Sequence, residues 1–120
     1  MKIYEPPVRS TIPDSFFRWY DKLRAEGHCR MCLRPDAVRP LTRHHLVPQR
    51  WFSQQKHDLR WALWRNVSAN IIPLCWSCHD GVEHEWDSRR TLRRLLTQEE
   101  IAFAVAMRGI DWLDQAYPRT

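Results

Sequence analysis

Two copies of one spacing, Cys29-x-x-Cys32 and Cys75-x-x-Cys78, constrain this chain more than any other feature of its 120 residues. A tight turn lets both sulfurs of a CxxC pair point at one ion, so two such pairs read as a four-cysteine zinc site built from two knuckles. Four free buried thiols and a disulfide framework are the competing readings. Free thiols give no reason for two identical pairs, and disulfides conflict with a reducing compartment. Met1 to Ser10 carries no apolar stretch of the kind a secretory signal needs, so the cytoplasm is the expected location. Structural zinc binds with about 10 to 16 kcal/mol, on the scale of the roughly 5 to 15 kcal/mol that keeps a domain folded. The metal should therefore be a condition of folding. The two pairs lie 43 positions apart, from Cys32 to Cys75, so the zinc clamps both ends of a segment that contains His44, His45 and Asn70.

A mean hydropathy of -0.61, with no apolar run near the roughly 18 to 20 residues of a membrane span, excludes a transmembrane chain. Lys and Arg number 19 against 14 Asp and Glu, a net +5 that favours anionic partners. Seven tryptophans and only three glycines argue against disorder. The length predicts one domain over 1–120, with its core at about 29–86. An N-terminal arm and helix fill 1–27, and helices fill about 88–117. Pro6, Pro7 and Pro13 bound the arm. Phe16, Trp19, Tyr20 and Leu23 predict a helix over 15–26, stopped by Gly27. Residues 38–47 suit a hairpin or two short strands, 49–68 a long functional loop with some helix, and 71–74 a short strand. Leu92, Leu95 and Leu96 are expected to share one face of a basic helix. Thr97 with Glu100 reads as a capping box opening a helix that stops at Gly109, and a last amphipathic piece spans 112–117.

Between the knuckles the chain reads Arg43-His44-His45-Leu46-Val47-Pro48, and before the second knuckle Asn70-Ile71-Ile72-Pro73-Leu74-Cys75; His79 follows Cys78. Adjacent histidines on a strand point to opposite faces, so one can ligate a metal while the other faces a substrate. Imidazole serves both tasks, as a ligand when neutral and as a general base near neutral pH.

The order HHLVP, then Asn, then an apolar pair running into CxxCH resembles the HNH endonucleases over residues 29 to about 86. The resemblance implies an α+β fold: a ββα-metal (His-Me finger) core with a four-cysteine zinc knuckle pair and flanking helices. It implies hydrolysis of DNA phosphodiesters with one catalytic divalent cation, Mg2+, Mn2+, Ni2+ or Zn2+, besides the structural Zn2+. Carried over by position, His44 and His79 become ligands of that cation and His45 the general base. Asn70 braces the loop and keeps the base aimed through a backbone hydrogen bond. The third ligand stays open between two residues. About 100° per helical residue brings Glu83 to within roughly 40° of His79 and leaves His84 roughly 140° away. Imidazole chemistry favours His84 for zinc or nickel, and Gly81 could let the turn deform to present it.

Arg43, Arg50, Lys56, Arg60 and Arg65 surround the expected site, with Trp51, Trp61 and Trp64 among them, and are candidate phosphate contacts. Arg89, Arg90, Arg93 and Arg94 form a second basic cluster whose ordinary alternative is a solvated face. No separate sequence-reading element is visible, so weak sequence preference is expected. Small HNH proteins of this size resemble phage proteins that act with the terminase large subunit in genome packaging, which would place the chain in the host cytoplasm. Two other readings compete: a non-catalytic zinc-stabilised nucleic-acid-binding module, and an accessory subunit of a DNA-processing complex. The first gives no reason for His44, His45, Asn70 and His79 to fall in that order.

Overall fold

The structure, a computed structural model, describes residues 18–54 and 64–119. The N-terminal arm, the start of the expected first helix with Phe16, and Lys56, Arg60 and Trp61 lie outside the described residues. Helix α1 (Trp19–Glu26) ends as its sequence predicts. Gly27 adopts a left-handed φ of 69°, cheap only for glycine, and its N–H returns to the Leu23 carbonyl. The first knuckle follows and leads to strand β1 (Leu41–His45), then the short helix α2 (Gln49–Ser53). A 3-10 turn over Ser68–Asn70 feeds strand β2 (Ile71–Cys75). Four helices complete the chain: α3 (Trp76–His84), α4 (Trp86–Leu95), α5 (Gln98–Arg108) and α6 (Ile110–Ala116).

The α+β class and the ββα arrangement hold, but the two strands are not a local hairpin. Residues 38–47 contribute only β1, which pairs antiparallel with β2 in the register Thr42 to Leu74 and His44 to Ile72. Val38 is exposed and Pro40 has no N–H for a ladder, and among the described residues β1 pairs with β2 alone. Every residue of β2 is buried, and Ile72 and Leu74 join the core around Leu46, Val47, Phe52, Val82 and Leu92. Burial of that apolar run selects the distant partner over a local one.

The capping box is present as expected. Thr97 Oγ1 accepts from the Glu100 N–H, and the Glu100 carboxylate accepts from the Thr97 N–H. That same carboxylate is 1% exposed and also receives Lys22 Nζ and Arg30 Nη1, so one side chain ties α1, the first knuckle and α5 together. The leucine stripe on α4 is narrower than expected. Leu92 enters the core while Leu95, the last helical residue, is exposed. Leu96 is already extended, and the exit of the chain turns it inward. Arg93 is no surface cation: buried, it bonds Asp114 at 2.9 Å and the Tyr117 carbonyl at 2.8 Å, pinning the end of the chain to α4. Arg90 pairs with Asp87 at 3.4 Å. No helix among the described residues is long and apolar enough to cross a membrane.

Candidate active site

The four cysteines converge. Cys29 and Cys32 come from the first knuckle, Cys75 from the end of β2 and Cys78 from the first turn of α3, and one sulfur from each lies within 4.8 Å of the others. No disulfide joins them. Zn–S bonds near 2.3 Å in a tetrahedron put neighbouring sulfurs roughly 3.8 Å apart. The Cys32 and Cys75 sulfurs are 3.7 Å apart, so the donor set fits zinc. The knuckle is fastened to the sheet through the Arg30 N–H, which donates to the Pro73 carbonyl at 2.9 Å. Burial alone would raise the Cys75 thiol, but the Cys78 N–H and the neighbouring sulfurs outweigh it and bring it to about 6. Burial and the same neighbours push Cys78 up.

One residue beyond Cys78 a second cluster begins. His44 on β1 and His79 on α3 face each other edge to face with ring centroids 5.2 Å apart. Glu83, one turn after His79, stands between them: its Oε1 is 3.3 Å from His79 Nε2 and 3.5 Å from His44 Nδ1. One donor atom from each of the three lies within 4.8 Å of the others. Of the two residues considered as a third partner, Glu83 is the one brought in. His84 is exposed and turned to Asp80, its Nδ1 3.0 Å from that carbonyl oxygen. Nor does Gly81 loosen the helix to present His84, because α3 runs unbroken from Trp76 to His84. A Cβ on Gly81 would meet Ser88 Oγ at 3.0 Å, so the glycine serves the close approach of α4.

His44 is 3% exposed, and its Nδ1 has no hydrogen-bond partner. Glu83 at 3.5 Å is too far for a good bond yet near enough for its charge to act. Burial pulls the His44 imidazole below its ordinary range despite Glu83, with His79 and Arg89 adding to the effect. An orphaned buried nitrogen beside an imidazole and an ionised carboxylate is a donor set that fits a divalent cation. Burial pushes the Tyr117 hydroxyl well up, so it stays a phenol.

His45 ends β1 and takes different neighbours from His44, as strand alternation requires. Its Nε2 is 3.0 Å from Asn66 Oδ1, and burial holds its imidazole below the ordinary range against the pull of that amide. Asn70 does not touch the ring. It accepts from the Val47 N–H at 2.7 Å and donates to the Val47 and Arg65 carbonyls. Asn70 thus braces the loop after His45, while Asn66, which the sequence reading missed, holds the imidazole itself.

Both histidines of the pair border one cleft of about 530 Å³, whose walls include Arg43, Arg50, Arg89 and Arg108. The Arg43 guanidinium lies 4.4 Å over the Trp19 ring, and Arg108 lies over Trp112 at 4.7 Å and over Trp51 at 5.5 Å. Arg89 and Arg108 come from α4 and α5, outside the stretch that sequence reasoning placed at the site. The family model for the HNH endonuclease matches residues 29–85, from the first knuckle to just past α3, so the resemblance read from the sequence holds for that segment. No curated protein and no solved structure matches the chain.

Proposed function

We propose that this chain, whose residues 29–85 carry the HNH endonuclease match, is a metal-dependent DNA endonuclease with His45 as general base and His44, His79 and Glu83 as ligands of one divalent cation. The observation that carries the reading is the division of labour at the end of β1. His44 points an unpartnered nitrogen at His79 and Glu83, while its neighbour His45 is held by Asn66 at the edge of the same cleft.

A bound divalent cation supplies Lewis-acid stabilisation of charge developing on the phosphate and the leaving oxygen. Two imidazoles and one carboxylate suit Mn2+, Ni2+ or Zn2+ better than Mg2+, which prefers oxygen donors. With Asn66 Oδ1 accepting from Nε2–H, His45 keeps its Nδ1 lone pair for the proton of an attacking water. Burial keeps that ring neutral at neutral pH, the form a base requires. Arg43, Arg50, Arg89 and Arg108 line the cleft with positive charge that suits a phosphate backbone.

The test is plasmid cleavage. Protein freed of its weakly held cation is given Mg2+, Mn2+, Ni2+ or Zn2+ separately and incubated with supercoiled DNA beside the His45→Ala variant. Cutting by the parent that depends on the added ion, and its loss in the variant, is the expected result. DNA binding without cutting under every ion would replace the nuclease with a zinc-stabilised binding module.

A further inference from the structure

Both histidines of the cluster rest their second nitrogen on a hydroxyl. His79 Nδ1 is 2.8 Å from Thr42 Oγ1, and Thr42 Oγ1 is 2.7 Å from the Leu74 carbonyl oxygen. His44 Nε2 is 2.7 Å from Tyr117 Oη, and Tyr117 Oη is 3.3 Å from the Leu46 carbonyl oxygen. A hydroxyl has one hydrogen, and a carbonyl oxygen can only accept. Two oxygens 2.7 Å apart repel unless a hydrogen lies between them, so the Thr42 proton goes to Leu74 and Thr42 Oγ1 must accept from His79 Nδ1–H. At Tyr117, which is 3% exposed, the Leu46 carbonyl oxygen at 3.3 Å accepts the hydroxyl proton, a longer bond than that of Thr42, and the hydroxyl oxygen is then free to accept from His44 Nε2–H. Each ring is then left with its lone pair on the nitrogen that faces Glu83, Nε2 of His79 and Nδ1 of His44.

We infer that the hydroxyls of Thr42 and Tyr117 are positioning groups that fix opposite tautomers in the two histidines, so that both offer a lone pair to one cation before it arrives. The inference rests on the cation site proposed above. It also draws a residue from outside the matched segment into the site: Tyr117 lies just after α6, held there by the bond from Arg93 to its carbonyl. Partners of this kind fix ligand tautomer and orientation, and their loss costs about 10- to 100-fold in metal affinity.

Nitrogen-15 NMR of the ring nitrogens, recorded at pH 8 with the zinc knuckle loaded and no other cation, reads the tautomers directly. The expected parent spectrum has His44 protonated on Nε2 and His79 on Nδ1. The opposite tautomer at either ring overturns the inference, and this measurement needs no variant. Mn2+ titration followed by electron paramagnetic resonance of the free ion then compares the parent with Tyr117→Phe, Thr42→Val and Thr42→Ser. Affinity should fall about 10- to 100-fold in the first two and return to near the parent value in Thr42→Ser, which keeps the hydroxyl. Affinities within twofold of the parent in both Tyr117→Phe and Thr42→Val overturn it. A parent with the stated tautomers and Mn2+ affinity that cuts no DNA removes the nuclease reading and leaves the positioning intact. A parent that cuts DNA with the opposite tautomers does the reverse.

Discussion

The four-cysteine knuckle and the His44, His79 and Glu83 cluster meet on α3 at consecutive residues, Cys78 and His79, yet they are built for different ends. In the knuckle four sulfurs close on one point, with Cys29 and Cys75 fully buried. In the cluster three donors of mixed chemistry open onto a cleft, and the side chain of Glu83 is 50% exposed. Closed four-donor sites hold folds, whereas catalytic sites keep a coordination position for water or substrate. The difference teaches that one helix can take its placement from the first site and lend it to the second. Cys78 lies in the first turn of α3 and His79 follows it, so both sites draw on the same helix.

Removing the knuckle's metal is the strongest way to break this comparison. Chelation strong enough to take zinc from four cysteines, or Cys75→Ala, should abolish the cooperative thermal transition, because a loss on the order of 10 kcal/mol exceeds or matches the whole stability of such a domain. Circular dichroism that survives with an unchanged midpoint would make the knuckle dispensable and the two sites independent. The cluster should answer in the opposite way. His45→Ala is expected to lower the cleavage rate about 10²- to 10⁴-fold while Mn2+ affinity and the thermal midpoint stay near those of the parent. A fully active variant would take His45 out of the chemistry.

A smaller effect sharpens the contrast from the knuckle's side. Arg30 lies within the first knuckle and pairs with Glu26 and with the buried Glu100. Glu100→Gln leaves Arg30 and Lys22 facing a neutral amide in a buried place and should cost about 3 kcal/mol by denaturant unfolding at pH 7. Burial alone would raise the Glu100 carboxyl, but Arg30 and Lys22 outweigh it and hold it below its ordinary value. Its contribution is therefore present above the unfolded value of about 4.3 and disappears as pH falls through the lower folded one. The gap between parent and variant should accordingly shrink below about pH 4. A gap that stays constant as pH falls to the lowest value at which the knuckle keeps its zinc and the parent stays folded would mean that the carboxylate charge is not what holds α1, the knuckle and α5 together. The smallest effect belongs to the cleft. Arg50→Gln should lower the slope of log affinity against log salt by about 1 without moving the thermal midpoint, and an unchanged slope would place the DNA elsewhere.

The legible parts were those in which chemistry sits at short, fixed spacing. Two CxxC pairs, adjacent histidines and a His directly after the last cysteine are local signals, as is the capping box at Thr97. The pairing of β1 with β2 was less visible, because a strand of five residues carries no mark of which distant apolar run will cover it. Asn70 was legible as a backbone brace through the family resemblance, whereas Asn66 carried no mark in the sequence. Both precede β2 within a few residues, and only the turn at Ser68–Asn70 decides that one side chain reaches a ring and the other reaches backbone.

By itself the sequence determined which residue types were at hand: four sulfurs for a closed metal site, imidazoles near a strand end, and a surplus of positive charge. Tertiary structure decided the rest. It set His44 of β1 against His79 and Glu83 of α3, with Glu83 Oε1 3.5 Å from His44 Nδ1. It brought Arg108 on α5 and Tyr117 just after α6 to the cleft from beyond the matched segment, across 73 positions in the case of Tyr117 and His44. Ligand spacing within a turn is set by local backbone geometry and can be read along the chain. Which distant hydroxyl or guanidinium completes a site depends on how the helices pack, and packing is a property of the folded whole.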